Sequence, residues 1–291
     1  MGMDIRELIK KFNIRLRKSL GQNFLTDEAV ARRIVDAADV KSSDLVIEVG
    51  AGAGSMTLEL AARAGRVAAI EIDRHLMPAL TENLKEFDNV DIINEDILKL
   101  DIKKDIIEAT KNRHTGFKAG SVKVVANLPY YITTPVIMKF LEEEPGIDLM
   151  VFMVQKEVAD RMMAEPGNKD YGALSVAVQY YSKPEKIFDV PPHCFIPQPD
   201  VDSTVIRLNI FKTPPVVLAD KDLFFKTVRA SFAQRRKTLV NALFNSGYFS
   251  KDKEQIKEVL KNLGIDERQR GETLSIMQFA QLSNSFSEKD C

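Results

Sequence analysis

The sequence predicts a doubly wound α/β sheet followed by a small all-helical domain, and three observations carry that prediction. From residue 26 to about 155, helix-like and strand-like segments alternate, as they do where parallel strands are joined by covering helices. The strand-like runs are predominantly apolar rather than alternating, which suits strands buried on both faces. After Phe211-Lys212-Thr213-Pro214-Pro215 the pattern is helical to the end, and the paired prolines favour an extended linker. The expected division is therefore a sheet domain over 1–212, opening with a basic segment over 1–20, and a helical domain over 213–291.

Taken in order, the first helix of the alternating region is capped by Thr26 and runs through Ile34 and Ala38, with Asp27 and Glu28 in the first turn, where the helix dipole favours acids. Strands are expected at 45–49, 67–72, 90–93, 122–126 and 149–154. Helices fill the gaps, one opening near Ser55 and others at about 78–87, 102–110 and 134–143. Beyond residue 170 come a helix near 173–181 and extended pieces at 187–190 and 204–210, joined through a proline-rich stretch. These two pieces read as an antiparallel hairpin that closes the sheet at seven strands. In the C-terminal domain a helix from Leu223 onward places Phe225, Val228, Phe232, Leu239 and Leu243 on one face. Lys226, Arg229, Arg236 and Lys237 share an adjoining arc of roughly 100°, at 100° per residue.

A chain of 291 residues with 45% hydrophobic content can hold one large and one small domain. No apolar run is long enough to span a bilayer, and the first residues lack a secretory apolar core. Arg6 stands where a myristoylation site needs Ser or Thr, and Asp4 and Glu7 argue against a mitochondrial transit peptide. Two cysteines, Cys194 and Cys291, make no disulfide framework, and His75, His114 and His193 have no metal-ligand spacing. A reducing cytoplasm and no metal are expected. The formal net charge of −1 conceals two basic clusters. Arg6, Lys10, Lys11, Arg15, Arg17 and Lys18 form one; Lys221, Lys226, Arg229, Arg235, Arg236 and Lys237 form the other. Either alone reads as a solvated face. Together they suggest a nucleic-acid track.

Glu48-Val49-Gly50-Ala51-Gly52-Ala53-Gly54 follows the first strand and opens a helix, so its glycines let backbone approach a ligand at a helix N-terminus. Ser55 occupies the place of the third glycine of a dinucleotide fingerprint, so that pattern is incomplete. Glu71, 21 residues after Gly50 and at the end of the second strand, is placed to accept from ribose hydroxyls. Asp96, past the third strand, can accept from an adenine amino group. These features leave a nicotinamide dinucleotide and S-adenosylmethionine both open.

Asn127-Leu128-Pro129-Tyr130 decides between them. It follows the apolar run 122–126 and sets an amide beside an aromatic ring. A strand ending in a proline turn is the plain alternative. An exocyclic amino group on a base is a poor nucleophile, because its lone pair is drawn into the ring. Catalysis on it needs acceptors for its hydrogens and a clamp for the base. Asn127 Oδ1 and a nearby backbone carbonyl supply acceptors, and Tyr130 can stack.

With these motifs in place the chain resembles, over nearly its whole length, the KsgA-type small-subunit ribosomal RNA adenine-N6 dimethyltransferases. The resemblance rests on Gly21-Gln22-Asn23-Phe24-Leu25, the E-x-G-x-G-x-G loop, Glu71-Ile72-Asp73, Asp96 and Asn127-Leu128-Pro129-Tyr130. Phe195-Ile196-Pro197-Gln198-Pro199-Asp200-Val201-Asp202-Ser203 and Phe232-Ala233-Gln234-Arg235-Arg236-Lys237-Thr238-Leu239 extend it. Asp200 stands where lysine is frequent and Val240 where arginine is.

The resemblance implies a Rossmann-like class I methyltransferase domain using S-adenosylmethionine. Asn23 and Leu25 would touch the cofactor, Gly50 and Gly52 would lie against it with Asn127 at its border, Glu71 would hold the ribose and Asp96 the adenine. Asn127 and Leu128 would orient the target amino group, Tyr130 would stack on the base, and Phe195 would be a second stacking face. Lys226, Arg229, Arg236 and Lys237 would contact RNA. The implied substrate is a pair of adjacent adenines in the 3′-terminal hairpin loop of 16S rRNA, each methylated twice on an immature small subunit by a monomeric enzyme. The alternatives are a 23S rRNA adenine methyltransferase of the antibiotic-resistance type, an assembly factor that acts by binding and, more distantly, a NAD-dependent dehydrogenase. Leu128 and the 195–203 stretch point to the small-subunit branch.

Overall fold

The structure, a computed structural model, describes residues 5–14, 17, 20–143 and 145–287; Arg15, Lys18 and Cys291 lie outside these. In chain order it forms α1 (Ile5–Lys11), β1 (Phe24–Leu25), α2 (Glu28–Ala37), β2 (Leu45–Val49), α3 (Ser55–Ala61), β3 (Arg66–Ile70), α4 (Met77–Leu84) and β4 (Val90–Ile93). A π-helical stretch over Ile102–Glu108 runs into α5 (Ala109–Arg113), followed by β5 (Val122–Asn127), α6 (Thr133–Glu142), β6 (Leu149–Gln155) and α7 (Lys156–Met163). Then come α8 (Ala173–Tyr181), β7 (Ser182–Val190), β8 (Phe195–Ile196) and β9 (Ser203–Ile210). The last helices are α9 (Lys221–Ala233), α10 (Leu239–Asn245), α11 (Lys253–Asn262) and α12 (Ile276–Ser287).

Seven strands form one sheet in the order β4-β3-β2-β5-β6-β9-β7. The first five run parallel, and β9 is antiparallel to β6. Every residue of β2 is buried, as are the first five of β5, which is why these runs lack polar alternation. Helix α2 sets Val30, Ala31, Ile34 and Val35 into the core, where they meet Leu60 of α3 and Val46 of β2. Strand order reverses between β2 and β5, and the crevice beyond their carboxyl ends is where open α/β sheets bind ligands. On the amino-terminal side, Lys123 is buried and bridges Asp44 Oδ2 at 2.8 Å and the Asp39 carbonyl at 2.6 Å.

Several elements differ from expectation for identifiable reasons. The α2 cap is Asp27, whose Oδ1 accepts from Ala29 N at 2.9 Å and Val30 N at 3.2 Å. Thr26 instead turns both its N–H and its hydroxyl to the Cys194 carbonyl, at 2.9 and 3.1 Å. Strand β7 begins at Ser182 and contains Pro184, which is tolerated because β7 is an edge strand. The two-residue sheet β1-β8, pairing Phe24 with Ile196 and Leu25 with Phe195, had no sequence signal of its own.

The chain divides into one unit of Met1–Ala159 with Pro184–Ile210, and another of Asp160–Lys183 with Phe211–Cys291. The second unit's longer segment starts at Phe211, in the expected linker, and the unit also takes in Asp160–Lys183, which the 1–212 division left with the sheet. Aromatic packing accounts for this: the Tyr181 and Phe225 rings stack at 5.8 Å, the Tyr180 and Phe224 rings lie 5.4 Å apart, and Tyr171 donates to the Leu274 carbonyl at 2.9 Å. The continuous helix expected from Leu223 is broken, because α9 ends at Ala233 and α10 starts at Leu239. Gln234 leaves helical geometry at φ −132°, ψ 73°, Leu239 N donates to the Gln269 carbonyl at 2.7 Å, and Arg235 reaches the Tyr171 carbonyl at 3.2 Å. Lys226 and Arg229 therefore lie on α9, whereas Arg236 and Lys237 lie in the following turn; all four are exposed, but they do not share one helical arc. Among the described residues no helix is long and apolar enough to cross a membrane, and no cluster of His, Cys, Asp and Glu could hold a metal ion.

Candidate active site

Within the first unit a cavity of about 310 Å³ opens at the carboxyl ends of β2, β3 and β5. Asn23, Leu25, Gly50, Gly52, Glu71, Asp96, Asn127, Leu128, Tyr130 and Phe195 all line it. Lys226, Arg229, Arg236 and Lys237 belong to the second unit.

One wall is the turn after β2. Gly50 and Gly52 adopt φ of +77° and +61°, and a Cβ on Gly52 would approach the Phe24 ring to 3.1 Å. Both position and conformation therefore require glycine. Glu71 is buried and held by two backbone donors, Gly52 N to Oε2 and Asp73 N to Oε1, each at 2.8 Å. Burial raises its carboxyl above the ordinary value, and these N–H groups oppose the rise. Asp96 Oδ1 accepts from Leu98 N at 3.0 Å, so this acid also caps the short turn Ile97–Lys99. Ile72 and Leu98 line the same cavity with 48% and 38% of their surface exposed, which offers apolar flanks to a flat ring between Glu71 and Asp96.

Glu48 lies beneath the loop, and its Oε2 is buried without a hydrogen-bond partner. Burial pushes its carboxyl up to about 8; the neighbouring Thr57 hydroxyl opposes that rise and the Glu71 carboxylate adds to it. The sequence carried a signal for Glu48, an acid inside an otherwise apolar strand, but none for its protonation.

At the end of β5, Asn127 Nδ2 donates to the Asn23 carbonyl at 3.2 Å. That contact fixes which end of the amide is which, because the reverse orientation would set two oxygens together. Asn127 Oδ1 is left as the acceptor. The Pro129 carbonyl already accepts from Ile132 N and the Thr133 hydroxyl, each at 3.1 Å, which leaves the Leu128 carbonyl as the second candidate acceptor in this loop. The Tyr130 hydroxyl bonds Ser203 Oγ at 3.1 Å, and burial raises its phenol. Phe195 borders the cavity but is only 2% exposed, so its ring is wall rather than an open stacking face. Its pairing with Leu25 explains this, since β8 is drawn under β1. Tyr131, not singled out by the motifs, is 54% exposed, lines the cavity and stands 3.2 Å from where a Cβ on Gly21 would be.

Charge decides between the two cofactor classes left open by the glycine loop. The described residues lining the cavity include Glu48, Glu71, Glu95 and Asp96 and no Lys, Arg or His. Such a site disfavours the two phosphates of a dinucleotide and suits a ligand bearing a sulfonium and an ammonium. The orphaned Glu48 oxygen supplies an acceptor for the latter.

Comparison with known proteins agrees. The family model described as ribosomal RNA adenine dimethylase matches residues 13–286. A ribosomal RNA small subunit methyltransferase A from Alkaliphilus oremlandii (strain OhILAs) is 52% identical over 284 residues, spanning 98% of this chain and 96% of that protein. The crystal structure of a dimethyladenosine transferase from Plasmodium falciparum superposes with a TM-score of 0.76 at 26% identity, covering 92% of this chain and 98% of the other. That of the 23S rRNA methyltransferase ErmE gives 0.65 at 24% identity over 91% and 100% of the two chains, a likeness of fold. Sequence and structure together place the chain in the ribosomal RNA adenine dimethylase family.

Proposed function

We propose that this protein dimethylates N6 of two adjacent adenines in the 3′-terminal hairpin loop of 16S rRNA, acting as a cytoplasmic monomer on an immature small subunit. Its family makes it an S-adenosylmethionine-dependent rRNA adenine methyltransferase, and its 52% identical relative is named for the small subunit. The observation that supports the reading is the Asn127 amide, whose Nδ2 is taken by the Asn23 carbonyl so that Oδ1 is left as an acceptor on a residue lining an acid-lined cavity.

S-adenosylmethionine, when bound, supplies an electrophilic methyl group. Glu71 and Asp96 would hold its ribose and adenine, Gly50 and Gly52 would admit it against backbone, and Glu48 would offer an acceptor to its ammonium. Asn127 Oδ1 and the Leu128 carbonyl accept the two N6 hydrogens and favour positive charge as it develops on the nitrogen. The Tyr130 ring, steadied by Ser203, stacks on the extruded base. No general base is required, because the methylated nitrogen becomes acidic and loses its proton to water. Lys226, Arg229, Arg236 and Lys237 would grip RNA phosphates.

The test is to incubate the protein with labelled S-adenosylmethionine and undermethylated small subunits, then map the modified nucleotides. Label on the adjacent adenine pair is expected; label only on a 23S rRNA adenine offered in parallel would transfer the assignment to the antibiotic-resistance type.

A further inference from the structure

The segment that closes the cofactor side of the cavity is tied down residue by residue. Gln22 Nε2 donates to Asp73 Oδ2 at 2.9 Å, and its Oε1 accepts from Arg17 N at 2.9 Å. The next residue, Asn23, places its carbonyl on the Asn127 amide. Phe24 and Leu25 then pair with Ile196 and Phe195. Asp73 is a prepared anchor: its side chain is 2% exposed, Oδ1 accepts from His75 N at 3.1 Å and lies 3.0 Å from His75 Nδ1, and Arg17 Nε stands 3.8 Å from Oδ2. Burial works against its charge, but the bonds from Gln22 and His75 and the Arg17 charge outweigh it and hold the carboxyl below the ordinary range. The same Asp73 gives its backbone N–H to Glu71.

Resting on the function proposed above, we infer that Gln22 is a positioning residue for methyl transfer: latched to Asp73, it holds the adjacent Asn23 carbonyl against Asn127 and so fixes the amide that receives the adenine. Gln22 touches neither reacting atom. Its effect runs through one peptide unit, so release of the latch lets the Asn23 carbonyl drift and the Asn127 amide turn. Misplacement of an orienting group by about 1 Å lowers rates by up to about a hundredfold.

Two full-length variants test this. Gln22→Met keeps the length and loses both hydrogen bonds. Gln22→Glu sets a carboxylate against Asp73, yet when protonated it can donate as the amide did. The charged and titratable groups facing this contact, Arg17, His75, Asp73 and Glu71, are common to both variants and the wild type. Variant-to-wild-type ratios remove what these groups contribute alike in each protein; in Gln22→Glu the proton is shared between residue 22 and Asp73, and the ratio reads that pair. In single-turnover methyl transfer at saturating S-adenosylmethionine and undermethylated small subunits, Gln22→Met should be slowed about tenfold or more at every pH. Gln22→Glu should be slowed at least as much at pH 8 and recover toward wild type as pH is lowered and the residue 22–Asp73 pair takes up a proton. Wild-type rates in both variants, or a Gln22→Glu ratio flat with pH, would overturn the latch while leaving the function intact. A wild-type protein that transfers no methyl group would instead refute the functional reading, and the latch with it.

Discussion

Replacing Glu48 by Gln should make the protein more stable at neutral pH and a poorer binder of its cofactor. The Glu48 carboxyl is pushed from an ordinary 4.5 up to about 8 by burial, so the folded protein holds a proton there that the unfolded chain has lost at pH 7. Taking it up costs about 1.4 kcal/mol per pH unit above the unfolded value, or roughly 3 kcal/mol at pH 7. The sign follows from the direction of the shift. With the folded value raised, the stability attached to this group is complete below 4.5 and is lost as pH climbs through about 8, beyond which the loss levels off. Glutamine keeps the shape of the neutral acid and never ionises. Its amide brings an extra N–H into a place where Oε2 already lacks a partner, offsetting about 1 kcal/mol of the gain. The expected net effect is a stabilisation of about 2 kcal/mol at pH 7, vanishing near pH 5. Urea denaturation of both proteins from pH 5 to 9 measures it. The difference in unfolding free energy should widen by about 1.4 kcal/mol per unit up to about pH 8 and then stay constant. Parallel curves across that range would refute a protonated Glu48. Equilibrium binding should show S-adenosylmethionine held about tenfold more weakly, because glutamine, unlike the acid, cannot release a proton and become the carboxylate that would meet its ammonium.

Asn127→Ala removes the acceptor proposed for N6, so the rate of transfer should fall by about 10²- to 10³-fold with cofactor affinity changed only a few-fold, measured by single-turnover transfer and titration. Lys123→Met leaves Asp44 buried without its cation and should cost about 3–5 kcal/mol in urea denaturation, which would identify this pair on the far side of the sheet as structural. Reversing charge at exposed Lys226 and Arg229 should weaken rRNA binding and lower the slope of log affinity against log salt by about 1 to 2; an unchanged slope would make α9 a solvated face.

Much of the molecule could be read from its residues because local and tertiary demands coincide there. The runs that became β2 and β5 are apolar since both faces are covered, and the Gly50–Gly54 loop is glycine-rich since its backbone enters the left-handed region. What escaped notice depends on partners distant in sequence. The Thr26 hydroxyl was claimed by Cys194, so the cap passed to Asp27. The helical pattern after Leu223 continues past Ala233, yet contacts from Gln269 and Tyr171 hold a turn open there and separate Lys226 and Arg229 from Arg236 and Lys237. Phe195 announces an aromatic in a motif, but only its pairing with Leu25 shows that the ring is covered. Gln22 and Asp73 sit inside two motifs as conspicuous as Asn127, but the hydrogen bond between them spans 51 residues and no spacing rule reaches that far.

The acid-lined cavity has a consequence for how such a protein handles RNA. Glu71, Glu95 and Asp96, with no described cation among the residues lining the cavity, repel phosphate as they favour a sulfonium. An uncharged base can enter; its backbone has nothing to gain there. On the proposed function, affinity for RNA would come from cations outside the cavity, for which exposed Lys226, Arg229, Arg236 and Lys237 are the candidates, while the cavity would set what happens to a base that has left its stack. The two tasks should then separate in kinetics. Charge reversal at Lys226 and Arg229 should raise KM for the small subunit with kcat largely retained, and Asn127→Ala should do the opposite. If the α9 changes lowered kcat as far as Asn127→Ala does, RNA grip and base presentation would be one function, and the separation would fail.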